Sequence, residues 1–533
     1  MNRRTALIAL ALAQFIMVLD QSVMNVSISQ LVVDFDTTVT TIQAVFTLYC
    51  LVMAMLMLTG AKIGDIIGRR RAFVVGLVVY ACGSALTAVS QSVAVLALGW
   101  SVLEGVGAAL VLPALAALIA GNFEGTDRKR AYAIIGGIAG AGIAIGPILG
   151  GWATTELTWR VVFVGEVVLC AAILLLTPKV ADAPRDGATP RLDVVGAVLS
   201  AVGLGLVVLG TLQASTWGWL RPKQSPVEPL GISLAPVVIG TGAVLLWTFV
   251  RWQRRRERTD HDPLVHLDLV RVPPLRAGLI GLFTQNLVLM GVFFVVPLYL
   301  QLVLGLDALD TGIKMLPISV AMLVASAAGS RLSRSMSIRA IVRTGLATAV
   351  LAILVLLLTV RPDLADGMFA VAMALLGVGM GLMVSQLGNV VQSSVDASGR
   401  SEAGGLQYTG QQLGSSLGVA LIGAIVLTGL AAVFTSAVTD DPRVSAEASQ
   451  QVGVAVESGL DFLTTAQVAD AVASAGADEA TTAAIVDDYA SAQLTSLRMG
   501  LFVAGALALV AIPFTRTLPH VSPDDRARAS ASA

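Results

Sequence analysis

The sequence predicts an all-α integral membrane protein of fourteen transmembrane helices, and three observations carry that reading. Of 533 residues, 56% are hydrophobic and only 13% charged, with a mean hydropathy of +0.82, more apolar surface than a soluble chain can hide. A bilayer crossing needs about 20 mostly apolar residues, and the chain breaks into fourteen such stretches, with little length left for a soluble domain. Lys and Arg gather in every second connection, as cytoplasmic loops require.

The first stretch, centred near Phe15, follows Arg3 and Arg4 and runs past Asp20 to Asn25 without a small-residue cleavage site. It reads as a retained helix, not a signal peptide. The others centre near Val52, Val79, Ala109, Ala141, Leu169, Val202, Gly242, Leu289, Val320, Val350, Leu376, Ala420 and Leu507. With both termini placed in the cytoplasm, all but seven of the 34 Lys and Arg fall on the inner side, which supports an even number of crossings of the cytoplasmic membrane.

Several function classes are excluded. The net charge of -1 hides a polarised molecule, yet no basic tract lies in a soluble domain where nucleic acid could bind. Cys50, Cys82 and Cys170 fall inside predicted helices without paired spacing, against disulfides or structural zinc. His261, His266 and His520 form no metal-spaced cluster, and there is no phosphate loop or nucleophile elbow. The reading is therefore of no enzyme, no metal and no cofactor, with movement driven by an ion gradient.

Between the second and third helices, Gly60-Ala-Lys-Ile-Gly-Asp-Ile-Ile-Gly-Arg-Arg-Arg71 makes a tight turn. Gly60, Gly64 and Gly68 let helices approach closely, Asp65 can accept from Arg69, and Arg70 and Arg71 face headgroups or other acids. Such a turn could latch two bundles in one state. A fainter echo, Gly329-Ser-Arg-Leu-Ser-Arg334, puts Gly329 for Gly60, Arg331 for Lys62 and Arg334 for Asp65. It suggests a duplicated six-helix unit with helices 7 and 8 inserted.

In helix 5, Gly142, Gly146 and Gly150 recur every four residues on one face, with Pro147 bending the helix and Gly151 following. Ionisable groups at membrane depth cost about 2.5–3.5 kcal/mol on insertion scales and are functional candidates by default. Asp20, Glu104 and Glu166 are that set. A buried carboxyl can take a proton from one side and release it when substrate arrives.

The second half carries amides instead: Gln386 and Asn389 on helix 12, Gln407 and Gln411 on helix 13. With Asn25, Gln285, Asn286 and Gln301 they line a cavity or bond helices together. Met17, Met24, Met53 and Met290 make that cavity adaptable, and its acidity suits cationic or neutral amphipathic ligands. Residues 434 to 495 hold ten acids against Arg443 alone. This segment reads as an extracytoplasmic acidic loop between helices 13 and 14, either solvated or folded as a small helical cap that concentrates cations.

Taken together, the chain resembles the major facilitator superfamily, and within it the fourteen-helix drug:proton antiporters of the EmrB/QacA type, over nearly its whole length. The resemblance is carried by Leu19-Asp-Gln-Ser-Val-Met-Asn-Val26, by the turn at 60 to 71, and by Gly142-Ile-Ala-Ile-Gly-Pro-Ile-Leu-Gly-Gly151, similar to the family's antiporter signature. Weaker matches are Trp159-Arg160, Leu192-Asp193, Pro297-Leu-Tyr-Leu-Gln301 and the stretch from Arg400 to Gly414.

The resemblance implies a major facilitator fold of two six-helix bundles, residues 1–190 and 257–533, around inserted helices at 191–256. It also implies packing of the helix 5 glycines against helix 8 or 11 of the family fold. It further implies a monomeric, proton-coupled antiporter that exports small amphipathic drugs or toxic compounds, or, alternatively, one self-made antibiotic, lipid or metabolite. Two departures stand out. Ser101 and Glu104 replace the family's arginine and glutamine in helix 4, and Glu166 replaces its asparagine in helix 6.

Overall fold

The computed structural model describes residues 3–123, 125–182, 191–259, 261–333, 335–395, 399–457 and 462–520. Arg334 of the fainter echo and Asp461, one of the ten acids between 434 and 495, lie outside them. Among the described residues there is no strand, and fourteen helices are long and apolar enough to cross a membrane. They are α1 (Arg4–Val26), α2 (Val39–Ile67), α3 (Arg69–Ala88), α4 (Val93–Ile119), α5 (Ile134–Leu157), α6 (Arg160–Lys179), α7 (Val194–Trp217), α8 (Leu234–Arg258), α9 (Pro273–Val303), α10 (Ala308–Leu332), α11 (Ile338–Thr359), α12 (Asp366–Ser393), α13 (Glu402–Asp440) and α14 (Glu479–Thr517).

Their packing is built on glycine, as expected where apolar burial against lipid gives no drive and close backbone approach must supply dispersion contact instead. Gly76 of α3 and Gly107 of α4 face each other so closely that a Cβ on either would meet the other's carbonyl oxygen at 2.8 and 2.7 Å. Gly345 of α11 and Gly379 of α12 repeat that reciprocal contact at 2.7 and 2.6 Å, and Gly345 lies as far beyond Gly76 as Gly329 lies beyond Gly60. Gly60 of α2 seats on the Ala109 carbonyl of α4, and Gly329 of α10 seats on Ser385 of α12. α2 and α3 thus cross α4, and α10 and α11 cross α12, through glycines equally spaced in the two halves, with the contact points on α12 shifted by one to two turns from those on α4.

At the Arg-rich end, Gly68 joins α2 to α3 in one residue at φ 105°, a conformation that favours glycine, and its N–H reaches the Gly64 carbonyl. Asp65 and Arg69 pair at 3.2 Å, and the Arg70 N–H donates to Asp182. Asp193 caps α7 through the Gly196 N–H and also accepts from Trp252 and Gln253 of α8. It ties those two helices into a hairpin that packs mainly along α2 and α13.

The long helices run into the acidic segment from both sides. α13 continues to Asp440 and α14 starts at Glu479, so the connection is 441–478 and not 434–495. Hydropathy fades near Phe434, yet the helix runs on through Thr435 to Asp440. Two short helices, Ala446–Glu457 and Thr465–Ser474, fold over the ends of the long pair. Phe434 and Tyr489 stack edge to face at 5.1 Å, and Tyr489 and Gln493 hold the backbone of Leu463.

The expected partner of the helix 5 glycines is corrected by the structure. Gly142, Gly146 and Gly150 of α5 pack on Val18, Ser22 and Val23 of α1. The neighbouring stripe, Pro147 and Gly151, meets α10, where Gly312 seats on the Pro147 carbonyl and Gly151 on that of Ala308. A methyl at Gly136, three turns along that second stripe towards the Arg-rich end, would meet nothing within 4 Å. α5 and α10 thus touch at the Arg-poor end, and Ser319 of α10 continues the contact by donating to the Ile143 carbonyl of α5.

Candidate functional site

The three carboxyls singled out from sequence converge. Asp20 of α1, Glu104 of α4 and Glu166 of α6 each place an oxygen so that all lie within 4.8 Å of one another, and the three residues are 1%, 0% and 1% exposed. Asp20's two oxygens accept the indole N–H of Trp100 at 2.9 and 3.0 Å. Trp100 is stacked on Tyr49 of α2, ring centres 5.0 Å apart. Glu166 accepts from Ser84 at 3.0 Å and Tyr80 at 3.4 Å, and Glu104 from Thr87 at 3.4 Å. None of these donors is a cation.

Local backbone geometry brings the acids together. Residues Ala97–Glu104 of α4 form a π-helical turn, a departure from α geometry common at functional sites. It carries both Trp100 and Glu104. Opposite it, a Cβ at Gly83 of α3 would clash with the Glu104 side chain, and one at Gly99 with Thr87. Without those two glycines α3 could not lie close enough for Thr87 to reach Glu104. Tyr80, Ser84 and Thr87 recur along α3 at i, i+4 and i+7, a polar stripe that sequence reading passed over, as it did Trp100 and Tyr49.

The departures from the family pattern have distinct fates. Ser101 donates to the Val45 carbonyl at 2.7 Å. Glu166 does not pair with Arg160, which instead bonds Asp34 and the Ser90 carbonyl at the Arg-poor end, stacked over Trp159 at 4.3 Å.

The amide candidates divide. Gln301 reaches the Val26 carbonyl and accepts from Ser29, joining α9 to α1. Gln285 bonds the Met380 carbonyl of α12, and Gln386 that of Gly329 in α10. Asn25 and Asn286 turn back onto their own helices. Gln407 accepts from Gln392, whereas Gln411 is half-buried. Asn389 does not share the burial of Gln386 one turn away: it is exposed while Gln386 is buried. The amide that crosses between α13 and α1 is Gln412, bonded to Gln21 at 3.2 Å.

Comparison with known proteins agrees with this architecture. Residues 10–419 match the sequence profile of the Major Facilitator Superfamily. The chain is 30% identical over 530 residues to a tetracenomycin C resistance and export protein of Streptomyces glaucescens, covering 98% of this chain and 92% of that one. It is 28% identical to the multidrug efflux pump LfrA of Mycolicibacterium smegmatis, over 88% and 90%. Among solved structures, a bacterial homolog of the human lysosomal transporter Spinster, inward-facing and unoccupied, shares the fold at TM-score 0.60 and 15% identity, covering 98% and 99% of the two chains.

Proposed function

This chain belongs to the major facilitator superfamily, a membrane transporter and not an enzyme, and on that premise we propose that it is a proton-driven exporter of small amphipathic molecules. The observation that carries the reading is the convergence of Asp20, Glu104 and Glu166 within 4.8 Å. Three like charges that close in a low-dielectric interior cannot all persist without a neutralising partner, and their hydrogen-bond donors here are neutral. A site that must gain positive charge to stay buried is what coupling to a cation gradient requires.

In this reading α1 to α6 (residues 1–190) and α9 to α14 (257–533) are two bundles that rock about the substrate, with α7 and α8 inserted. The protein works as a monomer in the cytoplasmic membrane, with both termini cytoplasmic and no cofactor. The contact of α5 with α10 closes the outer side, and their parting opens the inner one. The turn at 60 to 71 latches the bundles in the opposite state. Substrates are cationic or neutral drugs. The likeness to an exporter of one antibiotic across 98% of the chain favours a second reading, a narrow exporter of a single self-made compound.

The test is efflux of a fluorescent lipophilic cation from an exporter-deficient bacterium, with wild type or Asp20→Asn, with and without a protonophore. Export that the protonophore stops and Asp20→Asn abolishes at normal membrane levels is the expected result. Full activity of Asp20→Asn would remove Asp20 from the coupling role. Absence of transport across a broad cation panel would favour the narrow exporter.

A further inference from the structure

We propose that Arg251, Arg254, Arg255 and Arg258, at the Arg-rich end of α8, form a binding site for the headgroup of an anionic phospholipid. The inference needs only a chain that spans a membrane, not the export reading above. All four arginines are exposed, and at spacings of three, four and seven they share one face of the helix. Among the described residues none of them has an ion-pair partner, whereas Arg256, on the opposite face, lies 3.7 Å from Asp193 and bonds the Asp262 carbonyl. That opposite face is braced further. Gln253 donates to Asp193 and accepts from the Leu264 N–H, and Glu257 accepts from the Leu267 N–H. The last two turns of α8 are thereby fixed, and the four guanidiniums stand on a rigid rod facing away from the protein.

Lipid is what this face meets. The uncharged run of α8 from Leu234 to Val250 spans about 25 Å, close to the hydrocarbon thickness of about 30 Å, so Arg251 falls at the headgroups. α8 is the least buried of the fourteen helices, and Val244 and Trp247, two turns and one turn before Arg251 on the same face, are 59% and 58% exposed. The Arg251 guanidinium lies 4.7 Å from the centre of the Trp247 ring, an indole at the depth where such rings gather at a membrane border. A helix C-terminus attracts cations to its last turn, which accounts for Arg255 and Arg258 but not for Arg251 or for the alignment of all four with the lipid-facing line. Guanidiniums bind phosphate oxygens in pairs, and basic clusters beside a span draw anionic lipid. Because α7 joins α8 to α2 and α13, a lipid held there would anchor the inserted pair at the membrane surface.

The test places an NBD fluorophore at Val244→Cys in the full chain carrying Cys82→Ser, reconstituted in phosphatidylcholine nanodiscs. A minor share of the lipid bears a nitroxide on its acyl chain, as either phosphatidylglycerol or phosphatidylcholine. Val244 lies about 10 Å below Arg251 along the helix, within reach of the chain of a lipid whose headgroup sits on the arginines. Quenching by the labelled phosphatidylglycerol should exceed that by the labelled phosphatidylcholine several-fold, and Arg251→Gln/Arg254→Gln/Arg255→Gln/Arg258→Gln should make the two equal. Val324→Cys on α10, 62% exposed and standing before Arg331 as Val244 stands before Arg251, should show little preference, since a single arginine follows it. Arg254→Gln/Arg255→Gln, two exposed residues with no partner to lose, should give an intermediate preference and carries the test if the fourfold variant does not assemble. Equal quenching at Val244 in the wild-type stripe overturns the proposal. So does the same preference at Val324, which would mean diffuse attraction to the whole Arg-rich end, or a preference unchanged by the arginine substitutions. Lipid contact is read without transport, so a protein that exports but shows no preference sinks this inference alone, and one that selects the lipid but moves no substrate sinks the proposed function alone.

Discussion

Replacing Gly312 by alanine should drive α5 and α10 apart at the Arg-poor end. The added methyl would sit on the carbonyl of Pro147, 2.8 Å from its carbon. Ordinary carbon contacts lie at about 3.5–4.0 Å, so the helices must separate by about 0.7 Å or more. They cannot do so locally, because Gly151 is seated on Ala308 one turn away. Overpacking of this kind costs about 1–3 kcal/mol. The penalty falls only on the state in which these ends touch, so the balance of states should shift about 5- to 150-fold towards the one in which they part. Spin labels at Glu156→Cys and Asp310→Cys, both exposed, in a Cys82→Ser background that removes the exposed native thiol, would read the shift by pulsed dipolar spectroscopy. A longer distance should dominate in Gly312→Ala, while Gly136→Ala, whose methyl meets nothing within 4 Å, should match wild type. A Gly312→Ala protein with wild-type distances and wild-type efflux would refute the idea that this contact sets the closed state.

Two further outcomes follow from the Arg-rich end. Glu402, 2.8 Å from His266, raises the His266 imidazole above its ordinary 6.5, against partial burial and Lys62 and with a smaller push from Glu257. A raised folded value makes the pair's contribution complete below about pH 6.5 and lost as pH climbs through the higher folded value, so thermal unfolding should separate wild type from His266→Ala in acid and not at about pH 9. Asp193→Ala removes the α7 cap and orphans Trp252 and Gln253. It should destabilise the α7–α8 hairpin by about 2–4 kcal/mol, seen as faster proteolysis between these helices, with Asp193→Asn intermediate.

How much of this could be read beforehand depended on which force carried the signal. Hydropathy marks fourteen crossings because the bilayer acts on every residue of a span, and Asp20, Glu104 and Glu166 stood out one by one because charge at that depth is costly. Their meeting could not be read, since it depends on helix rotation, on a π turn at Ala97–Glu104 and on close approach at Gly83 and Gly99. Tyr49, Tyr80, Ser84 and Trp100 were hidden for another reason: a hydroxyl or indole in an apolar helix looks the same whether it packs or bonds. The α5 glycines announced an interface, but a stripe of small residues does not name its partner, and α1 took the place expected of another helix. The ends of α13 and α14 were misjudged because hydropathy marks the apolar part of a helix and not the residue at which the helix stops.

The three buried acids stand on α1, α4 and α6, while the buried polar side chains of α9, α12 and α13 among the described residues are neutral amides and hydroxyls. Each elementary charge carried through a membrane potential of 100 mV is worth about 2.3 kcal/mol. If the transport cycle moves charge through this cluster, that electrical work is delivered to one half only. Among the described residues of α9 to α14 no charged side chain is buried, so in this reading that half has nothing for the field to pull and is dragged along mechanically through the shared helix contacts. Voltage would then tune the motor of the machine without touching the walls that amides build around its cargo.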